Sequence, residues 1–454
     1  MDHRCCTLRV FAGITVNIGI LIAGTMIKVI RDAWIVTQNS TRDVIRGDVV
    51  VDNETIVSVG PKYNGTGDKE VQASGDIVMP GMVNTHTHVA MTVMKGAADD
   101  LQFPDFLNTV FKVDSNRTDK DIDIGTKLGC MEMIAGGTTT FLDLYYSEDV
   151  IAKAVKGSGM RGVLSWCVLD EEFTTQNGDP LKNCKEFQSK FKRERKIIPS
   201  AGLQGVYVCN EETCVSTKEF ADKEDLILHL HLSETRGEVN EHKRKTGKRP
   251  AEWLNSIGVL GKNTTAAHSA WLTMNEVRAM GKAEMSVAMC PVSNMKLATG
   301  GVAPVPQFME ENVNVSIGTD GSTTNNSLDM FSEMKMLGLL QKSHNWDASV
   351  TPAQKLLDFA TINGAKAVGL GDKIGSIEKG KFADMIILNG KAPNLRPLVN
   401  ENIISNIVYS SSSLNVRTVM CQGDIIMEDG KILTLDTEKV LNEAEDAWAS
   451  LCRR

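Results

Sequence analysis

The pattern of hydrophobic and polar positions along this 454-residue chain changes twice. From about residue 27 to 80, and again after Gly380, short apolar runs alternate with turns, a pattern that predicts β-strands. These runs are Ile27–Ile30, Val44–Val51, Ile56–Val59 and Asp76–Met79, then Ala383–Leu388, Val416–Met420 and Asp424–Met427. Because neither end is long enough for its own core, we predict one composite β-sandwich over residues 26–80 and 380–440, followed by a C-terminal helix over 441–454.

Residues 81–379 have a different texture, in which strand-like apolar runs alternate with amphipathic helical stretches such as Asp123–Ala135 and Ser327–Lys342. The apolar runs are Thr138–Leu144, Gly162–Leu169, Leu226–Leu232, Thr264–Ala267, Ser286–Cys290 and Val313–Ile317. This alternation indicates an α/β fold with parallel strands, and an eight-stranded (β/α)₈ TIM-type barrel has the right size. Chemistry in such barrels collects at the carboxyl ends of the strands, so polar residues directly after apolar runs become candidates.

Polar side chains follow four of the apolar runs. They are His86 and His88 after Ile77–Val83, His231 and Glu234 after Leu226–Leu230, His268 after Thr264–Ala267, and Asp320 after Val313–Ile317. Alternate residues of a strand share a face, so His86 and His88 can aim two imidazoles at one point. With His231 and Asp320 they form a set that suits Zn²⁺ or Fe²⁺ and can leave a position for water.

Each of these residues also has a simpler interpretation. A buried histidine after a strand can be satisfied by a backbone carbonyl, Asp320 can form an Asx turn, and Glu234 can be favoured by a helix dipole. Taken together, their positions at the ends of separate strands favour a metal site, with His268 and Glu234 free to move protons. We expect His229 to serve packing or to support the ligands.

Composition narrows the class of protein. Hydrophobic residues at 42% and charged residues at 23% are typical of a globular protein, and the net charge of -8 argues against a nucleic-acid surface. Ten cysteines without a C-x-x-C pair indicate reduced thiols and a cytoplasmic protein. The apolar stretch Leu8–Gly24 imitates a signal peptide or weak membrane anchor. We favour the alternative that residues 1–25 reflect an upstream start codon, with the working protein beginning near Met26.

Several motifs together resemble those of the amidohydrolase superfamily, metal hydrolases on a (β/α)₈ barrel with a small β-sandwich. The motifs are Pro80–His88, Ala98–Asp100, Gly137–Asp143, His229–Glu234, Cys290–Asn294 with Lys296–Leu297, Gly318–Gly321 and Gly375–Asp384. The resemblance runs from about residue 27 to 435. It is strongest to the S-adenosylhomocysteine/5′-methylthioadenosine deaminases, and Leu164–Thr175 resembles the archaeal 5′-deoxyadenosine deaminase branch.

This resemblance implies a function and a set of roles. Hydrolytic deamination of adenine nucleosides is implied, with 5′-deoxyadenosine, S-adenosylhomocysteine, 5′-methylthioadenosine and adenosine as candidate substrates. The implied metal ligands are His86, His88, His231 and Asp320, and the implied proton-transfer groups are Glu234, His268 and Asp320. No lysine follows Gly162–Leu169, where binuclear relatives carry one, so a single divalent metal is implied, zinc ahead of iron.

Further residues are expected to contact substrate. By resemblance, Asp105 is assigned to the ribose hydroxyls, Gln204 to the purine and Arg161 to a 5′ carboxylate, while Ser293 and Asn294 favour a nucleoside. Simpler interpretations exist for the first three: a helix-start residue, a polar strand end and a surface cation. A second arginine is missing near Arg161, which favours short apolar 5′ groups over a carboxylate.

Other activities stay open at this point. A guanine deaminase or a chlorohydrolase of the same superfamily shares the ligand set, and a non-catalytic scaffold on the same barrel is the least favoured alternative. We expect a homo-oligomer that binds a small-molecule nucleoside and neither nucleic acid nor a membrane.

Overall fold

The computed structural model describes residues 26–454, and the expectation about residues 1–25 lies outside the described residues. Terminal-segment strands are β1 (Ile27–Val36), β2 (Val44–Asp52), β3 (Thr55–Gly60), β4 (Lys69–Gln72), β5 (Ile77–Pro80), β14 (Met385–Leu388), β15 (Val416–Cys421), β16 (Asp424–Glu428) and β17 (Lys431–Ile432). The central strands are β6 (Met82–Thr87), β7 (Thr138–Tyr145), β8 (Arg161–Val168), β9 (Ile197–Leu203), β10 (Leu228–Leu232), β11 (Thr264–His268), β12 (Ser286–Met289) and β13 (Asn314–Ile317).

Helices separate the central strands and flank the second sheet. They are α1 (Phe103–Asp114), α2 (Asp119–Ala135), α3 (Glu148–Ser158), α4 (Pro180–Phe191), α5 (Glu211–Lys223), α6 (Arg236–Thr246), α7 (Pro250–Ser256), α8 (Met274–Lys282), α9 (Pro291–Lys296), α10 (Val305–Glu310), α11 (Met330–Asn345), α12 (Ala353–Ala360), α13 (Ile362–Ala367), α14 (Ile403–Tyr409) and α15 (Thr437–Leu451). The C-terminal helix begins ahead of the predicted residue 441, because the Asp436 side chain caps it by accepting the Lys439 N–H.

The central strands form the predicted barrel. β6 to β13 lie side by side in sequence order, and every neighbouring pair is parallel. Its first and last strands are joined by the Thr85 hydroxyl, which donates to the Ile317 carbonyl at 2.9 Å, and by the Asp320 N–H, which donates to the His86 carbonyl at 2.9 Å. The carboxyl ends of the first and last strands therefore meet, as the position of the predicted site requires.

Both ends of the chain build the second sheet, in the order β17-β16-β15-β14-β5-β1-β2-β3 with β4 beside β1. The two halves are joined where β14 pairs antiparallel with β5, with Ile387 opposite Val78. One apolar core serves both halves, since Val49 and Ile56 from the first share it with Met420 from the second. This confirms the composite β-domain. None of the helices within residues 26–454 is long and apolar enough to cross a membrane.

Candidate active site

Three imidazoles and one carboxylate converge at the carboxyl ends of β6, β10 and β13. Asp320 Oδ1 lies 3.4 Å from His86 Nε2 and 3.3 Å from His88 Nε2. His231 Nε2 lies 3.3 Å from His88 Nε2. Nitrogen atoms of His86, His88 and His231 all lie within 4.8 Å of one another, the spacing that a shared metal ion requires.

A relay of hydrogen bonds fixes the proton on His86. The Nδ1 of His229 lies 2.7 Å from the Thr265 carbonyl, which can only accept, so His229 carries its proton there. Its Nε2 is then an acceptor, and His86 Nδ1, 2.8 Å away, must be the donor. His86 Nε2 is consequently unprotonated, and it has no hydrogen-bond partner among the described residues. His229 thus orients the His86 ring.

The same logic applies to the other two histidines. His88 Nδ1 donates to the Leu144 carbonyl at 2.6 Å, and His231 Nδ1 donates to the Gln204 carbonyl at 2.7 Å. Neutral imidazoles held this way present an Nε2 lone pair. Three lone pairs and a carboxylate oxygen facing one point repel each other unless a cation lies between them. The donor set therefore fits a divalent metal.

The three imidazoles of the cluster differ in their electrostatics. Burial lowers the pKa of His86 and of His231 well below the ordinary value, which keeps both imidazoles neutral. The pKa of His88 is raised, because Asp320 outweighs the effect of burial. The pKa of Asp320 lies well below its ordinary value in spite of burial, since His86 and His88 face its carboxylate. The site thus holds a permanent anion that attracts positive charge.

Two further titratable groups flank the cluster. His268 Nε2 lies 3.9 Å from Glu234 Oε2 and 4.0 Å from Asp320 Oδ2. Burial raises the pKa of Glu234, helped by Asp320 and opposed by His268, so this carboxyl holds a proton more readily than an ordinary glutamate. Both carboxyl groups therefore approach the same nitrogen of the His268 ring.

Backbone strain marks the ends of three strands. Ser233, His268 and Asp320 adopt left-handed conformations with φ of 48°, 65° and 61°, which cost free energy for residues other than glycine. Ser233 directly precedes Glu234, and His268 and Asp320 are themselves at the site.

A cavity of about 620 Å³ opens above the cluster. Its floor is formed by His88, His231, Glu234, His268 and Asp320. The apolar residues of its wall are Met91, Phe103, Phe106, Leu107, Val110, Phe111, Leu144, Leu169, Phe173, Val208 and Leu297, with Tyr145, Tyr146 and Tyr207 adding aromatic rings. None of the residues lining the cavity is lysine or arginine, and its charged wall residues are acidic. A neutral, partly aromatic ligand suits this wall.

Three predicted substrate contacts lie at or just behind this cavity. Gln204 lines it, as expected of a residue that faces a bound base. Ser293 and Asn294 do not line it. The Ser293 hydroxyl instead donates to Asp320 Oδ2 at 2.6 Å, and Asn294 Oδ1 accepts from His268 Nδ1 at 3.0 Å. These two residues therefore orient the Asp320 and His268 side chains and do not line the cavity.

The structure corrects the other two predicted contacts. Asp105 is exposed in the first turn of α1 and does not line the cavity, in keeping with a helix-start residue. Arg161 begins β8, so it lies at the end of the barrel opposite the site. Its buried guanidinium pairs with Asp384. Arg161 is therefore neither a 5′ carboxylate contact nor a surface cation in this fold.

Several lining residues were missed by the sequence analysis. Asp114 lines the cavity at the end of α1 and accepts hydrogen bonds from the hydroxyls of Tyr145 and Tyr146. Glu238 lines it from the first turn of α6. The pattern Thr235-x-x-Glu238 is a capping-box signature, and it could have drawn attention to this glutamate.

Fold and site together define a metal hydrolase barrel, and comparison with known proteins gives the family. The profile of the Amidohydrolase family matches residues 77–426. The chain belongs to this family. The chain is also similar to the 5′-deoxyadenosine deaminase of Methanothermobacter thermautotrophicus, with 40% identity over 412 residues that cover 89% of this chain and 95% of the relative.

Solved structures of metal-dependent relatives are also similar to this chain. A zinc-bound adenosine deaminase from Xanthomonas campestris superposes with a TM-score of 0.90 at 30% identity, covering 94% of this chain and 99% of the other. A zinc-bound atrazine chlorohydrolase from Arthrobacter aurescens gives a TM-score of 0.85 at 19% identity, covering 93% and 100%. Because its identity is only 19%, the similarity to the chlorohydrolase shows the fold alone. A divalent metal site is in accord with both the donor set and these relatives.

Proposed function

We propose that this protein is a zinc-dependent deaminase of adenine nucleosides, which converts them to the corresponding inosine analogues and ammonia. The observation that carries the proposal is the convergence of three imidazole nitrogens and the Asp320 carboxylate below a nucleoside-sized cavity that also contains Glu234. One zinc ion per subunit, held by His86, His88, His231 and Asp320, accounts for these four ligands. The similarity to a 5′-deoxyadenosine deaminase and to an adenosine deaminase supports the same activity.

The reaction at C6 of an aminopurine needs proton transfers on both sides of the ring carbon. Attack makes C6 tetrahedral and moves the electron pair of the C6–N1 π bond onto N1, and Glu234, whose raised pKa favours the protonated form, donates a proton there. Asp320 Oδ2, oriented by Ser293, accepts the proton of the attacking water. Transfers of this kind each contribute roughly 10²–10⁴-fold in rate.

Zinc, when bound, supplies the Lewis acid that these side chains lack and brings the pKa of water towards neutrality. His268 orients the attacking water and stabilises the charge that develops on attack. Its ring is held by Asn294, because the Asn294 side-chain carbonyl accepts the Nδ1 proton. The proton held by Asp320 passes to the 6-amino group, which leaves as ammonia, and the hydroxyl proton on the tetrahedral carbon returns to Glu234 as the C6 carbonyl of the 6-oxopurine forms.

The cavity wall favours neutral substituents at the 5′ position. No cationic side chain among its lining residues is available to a carboxylate, whereas Asp114, Glu238 and Glu241 are acidic. The homocysteine group of S-adenosylhomocysteine would bring its carboxylate into this surrounding. The proposed order of preference is therefore 5′-deoxyadenosine and 5′-methylthioadenosine ahead of S-adenosylhomocysteine.

A substrate screen with the zinc-loaded protein tests the proposal. It compares 5′-deoxyadenosine, 5′-methylthioadenosine, adenosine and S-adenosylhomocysteine with guanine and a chlorotriazine, using the change in ultraviolet absorbance and the release of ammonia. We expect the first two to give the highest kcat/KM, and metal analysis to find one zinc per subunit. Turnover of guanine or the chlorotriazine without any nucleoside deamination would overturn the proposal.

A further inference from the structure

One half-buried carboxylate beside the site has no role in the mechanism above. Glu238 lies in the first turn of α6 and lines the cavity. Its Oε1 accepts the N–H of Ser233 at 3.0 Å, and its Oε2 accepts the N–H of Glu234 at 2.8 Å. Both of its carboxylate oxygens are thus bound to the backbone of the turn that carries the proton donor.

That turn needs outside support. Ser233 is a non-glycine residue with a φ of 48°, a conformation that persists only where neighbouring groups hold it. The Ser233 carbonyl accepts the N–H groups of Ala270 at 3.2 Å and Trp271 at 2.9 Å. Glu238 holds the N–H side of the same peptide turn. The backbone of Glu234 is therefore clamped between Glu238 and the segment after β11.

A purely helix-capping role does not account for this geometry. In a capping box the glutamate reaches back to the N–H of the N-cap residue. Glu276 does so at the start of α8, where it accepts the Thr273 N–H at 2.8 Å. Glu238 passes over its own N-cap, Thr235, and binds the two residues before it. Burial raises the pKa of Glu238 to about 7, and the charge of Glu234 contributes, so placing a carboxylate here has a cost.

We propose that Glu238 is a positioning residue for catalysis, which holds the Ser233–Glu234 turn so that the Glu234 carboxyl meets N1 of the purine. The inference rests on the proposed deaminase function. It concerns a group that acts through Glu234 and does not itself touch the reacting atoms. A misplacement of about 1 Å in a proton donor can reduce turnover by about a hundredfold.

Glu238→Gln tests the proposal because it keeps the side-chain volume and one acceptor oxygen but presents an amide to one of the two N–H donors. With 5′-deoxyadenosine we expect kcat to fall by about tenfold to a hundredfold. KM should stay within about twofold, and the zinc content should stay at one per subunit. Glu276→Gln is the matched control, since it removes a capping carboxylate outside the cavity. It should lower the melting temperature and leave kcat unchanged.

A double-mutant cycle with Glu234→Gln separates positioning from general stability. If Glu238 acts through Glu234, Glu238→Gln should change kcat less than about twofold once Glu234 is replaced. An equal loss in both backgrounds, or a fully active Glu238→Gln enzyme, would overturn the inference. A wild-type protein that deaminates no nucleoside would overturn the proposed function as well, whereas an active wild type isolates the role of Glu238.

Discussion

Two buried polar clusters lie at opposite ends of the same barrel and differ in how their atoms are satisfied. At the amino end, the Arg161 guanidinium donates to Thr140 Oγ1 at 3.0 Å, to Gln422 Oε1 at 3.1 Å and to both carboxylate oxygens of Asp384. At the carboxyl end, His86 Nε2 is buried without a hydrogen-bond partner among the residues described. Each buried charge at the first end is paired, while the second end presents electron pairs that suit a metal cation.

The contrast separates stability from chemistry. A paired cluster such as Arg161–Asp384 joins the barrel to the composite sheet and leaves nothing for a ligand to bind. An unpaired cluster is costly to bury, and such groups concentrate where a metal or substrate completes them. Burial and charge alone do not distinguish the two ends, whereas unsatisfied lone pairs do.

The largest expected effect is on turnover, when the proposed proton donor at the carboxyl end of the barrel is replaced. Glu234→Gln keeps the shape of the side chain but has no acidic proton, so kcat with 5′-deoxyadenosine should fall by roughly 10²–10⁴-fold. The four metal ligands are untouched, so zinc analysis should still find one ion per subunit. Full activity in this variant would remove Glu234 from the mechanism.

A smaller effect, on stability and not on turnover, is expected at the amino end. Arg161→Met leaves the Asp384 carboxylate buried without its ion-pair partner, which should lower the free energy of unfolding by about 3–5 kcal/mol in denaturant titrations. Replacing both partners, with Arg161→Met and Asp384→Leu, should recover part of that loss because no lone charge is left. The kcat per folded molecule should stay unchanged in both variants, and a large drop would contradict a structural role.

The effect expected at Glu148 is the smallest for a single pH unit, and this residue sharpens the comparison as a buried group with neither a partner among the described residues nor an assigned role. Burial raises its pKa well above 4.5, and both of its oxygens lack partners among the described residues. The folded chain keeps a proton that the unfolded chain releases above about pH 4.5, so stability falls as pH rises, by at most about 1.4 kcal/mol per pH unit.

In the Glu148→Gln variant, the folded chain no longer binds this extra proton relative to the unfolded chain. Its melting temperature relative to wild type should therefore increase as the pH rises above about 4.5, as measured by calorimetry. A difference that does not change with pH would mean that Glu148 is already ionised in the folded state. The activity assay serves as the control, because Glu148 does not line the cavity.

The convergence of the proposed metal ligands could be predicted because it depends on local rules. Alternation along a strand brings His86 and His88 to one face, and the barrel brings strand ends together, so both predictions needed only the pattern of apolar runs. β9 was not predicted as a strand, because Pro199 and Gly202 interrupt the apolar pattern of Ile197–Leu203. Its place in the barrel follows from pairing with β8 and β10, which is non-local.

The contacts that failed depend on orientation. Arg161 precedes an apolar run, which already indicates the amino end of a strand, and the barrel rule could have excluded it from the site. Ser293 and Asn294 were found in the right motif, but their partners, Asp320 and His268, lie on other strand ends. Which atom a side chain contacts across the barrel is set by packing that no local pattern encodes.

The relay behind His86 has a consequence for transplanting this site. His229 and Thr265 are direct neighbours across the parallel pair β10–β11, so the register of two strands decides which ring nitrogen of His86 is free. Grafting the four proposed ligands onto another barrel would copy their positions but not the hydrogen bonds that fix the proton on His86. A designed copy would need a matching acceptor carbonyl at the base of the relay, or its first imidazole could present a proton where an electron pair is required.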